Sequence, residues 1–193
     1  NTFWVGSPSG GLWKTIDGGN NWTVSTDDND VLGVSTIALH PNFINNNTMF
    51  IGTGDRDGGS LWSIGGGQSN DNNGIGILKS TDGGASWSST GLTFTPSQKV
   101  TINEIIINPT NGDEMLAATS SGIYKSIDGG TNWSLKKSSY DFVDMDLKPN
   151  SPSTVYASTT GWGDQKIFKS TDAGENWSEV LSLTGRRIQL AVS

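Results

Sequence analysis

One nine-residue pattern occurs four times along this 193-residue chain. The copies are Lys14-Thr-Ile-Asp17-Gly-Gly-Asn-Asn-Trp22, Lys79-Ser-Thr-Asp82-Gly-Gly-Ala-Ser-Trp87, Lys125-Ser-Ile-Asp128-Gly-Gly-Thr-Asn-Trp133 and Lys169-Ser-Thr-Asp172-Ala-Gly-Glu-Asn-Trp177. A repeat of about 45 residues that holds several short strands points to propeller blades rather than a helical solenoid.

The rest of each period repeats as well. An apolar strand leads into each box: Gly11–Lys14, Gly76–Lys79, Gly122–Lys125 and Lys166–Lys169. A second strand precedes it, at Thr2–Gly6, Thr48–Gly52, Glu114–Ala118 and Thr154–Ser158. A third lies further upstream and ends in proline three times, at Pro41, Pro109 and Pro149. A fourth starts at each box Trp. In the order A, B, C, D the box is the C–D turn. The expected fold is all-β, a β-propeller of four-stranded antiparallel blades. Blade one holds strands B–D in residues 1–26. Blade two is 34–90, blade three 100–137 and blade four 143–182. Residues 187–193 are strand A of a following or closing blade. That strand either completes blade one and closes a four-bladed ring, or belongs to a larger propeller of which this is a slice. The expectation is the slice, because four blades is the low end for this architecture.

Composition excludes several alternatives. The 26 glycines and the abundant Ser, Thr and Asn favour turns and short strands over helix. Eight Trp, six Phe and three Tyr supply the core of a folded chain. No apolar run is long enough to span a membrane as a helix. A net charge of −7 argues against nucleic acid as a partner. There is no Cys, so disulfides and Cys-based metal sites are excluded.

Each box Asp accepts hydrogen bonds from backbone N–H groups a few residues on, and the paired glycines permit the positive φ of a tight reversal. Ala173 departs from the pattern, so that position must tolerate a side chain. Asp17, Asp82, Asp128 and Asp172 sit in separate blades and cannot converge on one substrate atom, so their expected role is structural. Trp22, Trp87, Trp133 and Trp177 are expected to fold back between neighbouring sheets. The four box lysines are expected on a solvated strand face. His40, the only His, precedes Pro41 at a strand end and is expected to be structural. Three of the four Asn-x-Ser/Thr sequons, at Asn21, Asn132 and Asn176, are by-products of the box; the fourth is at Asn46.

The repeated K-[ST]-x-D-[GA]-G-x-x-W resembles the Asp-box, or BNR repeat, across nearly the whole chain. Sialidases, sortilin-like receptor domains, xyloglucan-cleaving glycoside hydrolases and photosystem II assembly factors share it. The strings Phe3–Lys14 and Ile51–Gly59 are most similar to sortilin-like propellers of large secreted Bacteroidetes proteins, which often carry a type IX sorting domain. The resemblance implies a bacterial protein at the cell surface or outside the cell. It also implies that ligands bind on the face opposite the boxes, where the B–C and D–A loops lie.

Candidate residues on that face come from three loops. The longest, from Gly54 to about Asn73, carries Asp55, Arg56, Asp57 and Trp62, a mix suited to sugar or peptide. The blade-four B–C loop carries Trp162 and Asp164. Asp27, Asp28 and Asp30, together with Asp71 of the long loop, are weak candidates for Ca²⁺, without EF-hand spacing. No cofactor is expected. A sialidase would need three arginines around the substrate carboxylate. This chain has Arg56, Arg186 and Arg187, and the adjacent pair would point to opposite faces of a strand. A glycosidase needs two carboxyls about 5–10 Å apart; Asp55 or Asp57 could be one, with a partner in another blade. The expectation favours a non-catalytic module for protein or glycan binding, in contact with other blades or domains of its own protein. The alternatives are part of a glycoside hydrolase and a structural spacer in a surface adhesin.

Overall fold

Three of the strand-rich repeats fold into four-stranded sheets, and the first into a three-stranded one. A computed structural model describes residues 1–8, 10–29, 33–54, 74–161, 163–185 and 187–193. Sheet one is β1 (Phe3–Ser7), β2 (Gly11–Thr15) and β3 (Thr23–Val24). Sheet two is β4 (Val34–Leu39), β5 (Met49–Thr53), β6 (Gly76–Ser80) and β7 (Ser88–Thr93). Sheet three is β8 (Ile102–Ile107), β9 (Met115–Thr119), β10 (Gly122–Ser126) and β11 (Ser134–Ser138). Sheet four is β12 (Asp141–Lys148), β13 (Ser151–Thr160), β14 (Asp164–Ser170) and β15 (Ser178–Thr184). Within each sheet, neighbours in sequence are neighbours in space and pair antiparallel. A single helical turn, α1 (Phe43–Asn46), sits between β4 and β5.

Period-two alternation gives each sheet two faces, and three apolar clusters fill the three gaps between successive sheets. Leu12 and Trp4 of sheet one meet Met49, Ile51 and Leu78 of sheet two. Phe50, Ile77 and Leu92 of sheet two meet Ile102, Ile105 and Met115 of sheet three. Leu116, Ala118 and Ile123 of sheet three meet Phe142, Val155 and Phe168 of sheet four. Burying one such Phe stabilises by about 2–3 kcal/mol. Phe142 and Phe168 stand edge to face, with centroids 5.5 Å apart.

A bulge recurs near the start of each inner strand, at Ser35, Asn103 and Val143. At the first two it turns a polar side chain onto the next sheet. Ser35 Oγ donates to the carbonyl of Ile102, and Asn103 Nδ2 donates to that of Phe142 at 2.7 Å. Residues 187–193, expected as an inner strand, form no ladder; one antiparallel bridge joins Arg187 to Thr160. An inner strand makes its ladder with the second strand of its own sheet, and these residues lie instead beside sheet four. Ser158 Oγ donates to Ile188 O at 2.7 Å, and Leu190 N donates to Asp144 Oδ2 at 2.6 Å.

Candidate functional site

The four boxes are closed hydrogen-bonded turns. In each, the Ser or Thr beside the lysine is buried. Its hydroxyl donates to the box carboxylate and accepts from the N–H of the second glycine position. For Ser80 these distances are 2.7 Å to Asp82 and 2.8 Å from Gly84, and for Ser170 they are 2.7 Å to Asp172 and 2.9 Å from Gly174. The carboxylate also takes the backbone N–H of the residue before the box Trp. The distance is 2.9 Å in all four copies. Donors on both oxygens favour the ionised form. The Asn21 backbone N–H above all holds Asp17 at about 2, below its ordinary 3.8. Asp82, chiefly through the Ser86 hydroxyl, and Asp128 and Asp172, chiefly through backbone N–H groups, are lowered too. The first-glycine position has φ of 77°, 70° and 66° at Gly18, Gly83 and Gly129, and 56° at Ala173.

The box lysines correct the expectation of a solvated face. Lys14 Nζ donates to Gly83 O at 2.8 Å and Lys79 Nζ to Gly129 O at 3.1 Å. Lys125, only 6% exposed, pairs with Glu175 of the fourth box at 2.8 Å. These three lysines therefore tie each of the first three boxes to the box of the next sheet, while Lys169 lies over the Tyr156 ring. Trp87, Trp133 and Trp177 pack half-buried against the inter-sheet clusters, whereas Trp22 is exposed and meets Phe3 edge-on. His40 is held by the A–B turn of sheet two: Asn42 N donates to its Nδ1 at 3.0 Å.

The face opposite the boxes is less uniform. Its B–C connections run from the two residues Ser120 and Ser121 to the long segment between Thr53 and Gly76. Asp55, Arg56, Asp57, Trp62 and Asp71 of that segment lie outside the described residues, as do Asp30, Trp162 and Arg186. Asp27 and Asp28 are exposed. Among the described residues no three His, Cys, Asp or Glu side chains gather as metal ligands.

The seam between sheets three and four carries most of the describable chemistry of this face. Asp141, the first residue of β12, is half-buried. Asn103 reaches it from β8, with Nδ2 at 2.9 Å from Asp141 Oδ1, while Thr101 Oγ1 donates to Asn103 Oδ1 at 2.9 Å and orients the amide. Burial pushes the Asp141 carboxyl from its ordinary 3.8 up to about 6, and the Asn103 hydrogen bond offsets part of that rise. Tyr140, the preceding residue, packs on Phe142 and Phe168. Two lysines approach its ring, Lys137 at 5.8 Å and Lys166 at 5.9 Å from the centroid. Lys166 also pairs with Glu179, whose carboxylate raises its pKa.

Asp164 opens β14 at the same end and accepts a hydrogen bond from Thr184 Oγ1 at 3.2 Å. Buried Gln165 ties Gly161 and Gly163 to the end of β15. Its Nε2 lies 3.1, 3.0 and 3.2 Å from the carbonyls of Gly161, Gly163 and Gly185. Asn103, Tyr140, Asp141 and Gln165 were not singled out from sequence. The one available signal was Asn103, which with Glu104 interrupts the apolar stretch between Ile102 and Ile105–Ile107.

No protein-family model matches the chain, and no curated protein sequence matches it. Solved structures do. An ancestral GH74 enzyme superposes with a TM-score of 0.74 at 21% identity, covering 93% of this chain and 24% of that one. The GH74 xyloglucanase from Xanthomonas campestris gives 0.63 at 15%, covering 92% and 28%. The extracellular domain of a hybrid two-component system from B. thetaiotaomicron gives 0.63 at 13%, covering 93% and 21%. The chain thus spans between about a fifth and three tenths of the length of these structures. The likeness establishes the fold, a β-propeller arrangement of antiparallel blades.

Proposed function

We propose that this chain is a non-catalytic recognition module of an Asp-box propeller, acting outside the cell, that binds glycan through the face opposite its boxes. The observation that carries this reading is the division of labour between the two faces. On one face the box carboxylates are saturated by donors of their own turns and the box lysines are spent on the next sheet or held over an aromatic ring. On the other, Asp141, Tyr140, Lys137, Lys166 and Asp164 mark one seam, near the Gly161 and Gly163 carbonyls that Gln165 holds. An aromatic ring with carboxylate and ammonium groups beside it suits hydroxyl-rich ligands, whose apolar faces stack while their hydroxyls hydrogen-bond.

A secreted location agrees with the neighbours' character, and no helix among the described residues is long and apolar enough to cross a membrane. The sortilin-like and type IX affiliations belong to this proposal too. So do the ligand roles of Asp55, Arg56, Asp57, Trp62 and Trp162. The test is gel retardation of the chain in xyloglucan, mixed-linkage β-glucan and a sialylated mucin. Retardation by at least one, abolished in Tyr140→Ala, supports the reading. No retardation by any of them contradicts it and leaves protein partners as the occupants of this face.

A second reading draws on one observation, the elevated pKa of Asp141. A carboxyl near 6 is suited to general-acid chemistry in a glycosidase. Release of reducing sugar from xyloglucan, lost in Asp141→Asn, would favour the enzyme over the module.

A further inference from the structure

Asn111 and Gly112 stand together in the A–B turn of sheet three, between β8 and β9. Three backbone hydrogen bonds shape that turn. Asn111 N donates to Asn108 O at 3.2 Å, Glu114 N to Asn111 O at 3.0 Å, and Asn108 N to Glu114 O at 2.9 Å. Packing demands the glycine. The His40 ring, from the A–B turn of sheet two, lies against Gly112, where a Cβ would meet Nε2 at 2.0 Å and Cδ2 at 2.6 Å. That ring is held at Nδ1 by Asn42 N at 3.0 Å and by the Asn46 amide at 2.9 Å. The contact between two sheets thus places the least hindered main-chain nitrogen directly after Asn111.

The groups around that nitrogen are free to react. Among the described residues the Gly112 N–H meets no acceptor, and neither does Nδ2 of the exposed Asn111. Asn111 Oδ1 takes the N–H of Asp113 at 3.3 Å, a donor placed where negative charge develops if Cγ is attacked.

Other asparagines are guarded. Nδ2 of Asn21, Asn132 and Asn176 donates to the box carboxylates at 2.7, 2.7 and 2.8 Å, and a bulky Trp follows each. Asn108 donates to Glu114 at 2.8 Å and precedes Pro109, whose nitrogen carries no proton.

We propose that Asn111 is a site of self-modification, at which the folded chain deamidates. Gly112 N attacks Cγ of Asn111. The N–Cγ bond forms, the Cγ–Nδ2 bond breaks, and the amide nitrogen leaves as ammonia with the proton that Gly112 gives up. Water then adds to either carbonyl of the cyclic imide and opens it to aspartate or isoaspartate. It arrives through the groove between the two A–B turns, lined by His40, Pro41, Pro109 and Gly112. Isoaspartate inserts one more main-chain carbon, so the three hydrogen bonds of the turn are not kept together. Asp113 O of this turn accepts Gly129 N of the third box at 3.1 Å, and Lys79 of sheet two holds the Gly129 carbonyl. The modification therefore loosens the contact between sheets two and three.

The test is incubation of the folded chain at mildly alkaline pH. Digestion at mildly acidic pH, mass mapping of the tryptic peptide 100–125 and labelling by an isoaspartyl methyltransferase then read position 111. The comparisons are the excised peptide and the double variant His40→Ala/Gly112→Ala, in which loss of the ring makes room for the Cβ. Circular dichroism checks folding. The expected result is acid at position 111, part of it isoaspartate, with Asn21, Asn132 and Asn176 intact. The double variant converts at least about tenfold more slowly, and the converted parent, separated by anion exchange, melts below the unconverted. Asn111 that stays an amide in the folded chain while it converts in the excised peptide overturns the proposal, whether or not the double variant folds. So does conversion of a folded double variant at the parental rate, or a converted parent that melts as the unconverted one does.

Discussion

Lys79 Nζ donates a hydrogen bond to the carbonyl of Gly129, 3.1 Å away in the box of the following sheet. The residue thus belongs to one blade by sequence and to the next by contact. A hydrogen bond from a charged donor contributes about 1.5–3 kcal/mol. Lys79→Met should lower stability by about that amount in urea unfolding, and Lys14→Met similarly. Lys169→Met should cost under about 1 kcal/mol, because among the described residues its amine meets only the Tyr156 ring.

Ala173 occupies a left-handed conformation that Gly18, Gly83 and Gly129 fill in the other boxes. A Cβ there costs about 1 kcal/mol or more. Ala173→Gly is therefore expected to raise the melting temperature by a few degrees. Gly174→Ala should do the reverse and more severely, since its Cβ would fall 2.6 Å from Leu116 Cδ2 in the packed inter-sheet core. Equal effects of the two substitutions would show that backbone conformation alone governs the turn.

The pH profile should have two limbs of opposite sign. The box aspartates are depressed in the folded state, so their stabilisation is present above the ordinary value near 3.8 and is lost as pH falls towards about 2, the folded value of Asp17. Asp141 is raised to about 6, so the cost of its buried charge is absent below about 3.8 and grows as pH rises to 6. Asp146, raised chiefly by burial and further by Asp144, acts in the same direction. Melting temperature should therefore peak near pH 4–5. Asp141→Asn should flatten the decline between pH 4 and 6 without removing the acid limb. Thermal melts across pH 2–8 read both limbs.

Asn103 joins the two sheets that form the candidate site. Asn103→Ala strips a donor from both Asp141 and the Phe142 carbonyl, which is expected to cost about 1–3 kcal/mol. The Asp141 pKa should climb further, because the removed amide favours the ionised form. Carboxyl-carbon NMR titration of Asp141 reads that shift directly.

Most of the frame was legible in the sequence, because box and strand spacing are local properties repeated four times. Trp133 and Trp177 could be assigned to the gaps between sheets on that basis. The lysines could not. Lys79 alternates along its strand like a solvent-facing residue, and its acceptor lies 50 residues away. The same holds for Asn103 and Asp141, which meet only after two sheets have stacked. Gln165 reads as an ordinary strand residue until the turn it anchors is in place. The segment 187–193 has the alternation of a strand, but among the described residues it makes one bridge, Arg187 to Thr160, and no ladder.

The central claim, that the boxes build the frame while the opposite face binds, is tested most directly by two isosteric variants in one assay. Asp141→Asn and Asp82→Asn would be compared for melting temperature at pH 7 and for affinity towards whichever polysaccharide retards the parent. The account predicts that Asp141→Asn melts at or above the parent and binds at least about tenfold more weakly, while Asp82→Asn melts lower and binds as the parent does below its transition. Binding lost in Asp82→Asn and preserved in Asp141→Asn would contradict it and place the ligand on the box face.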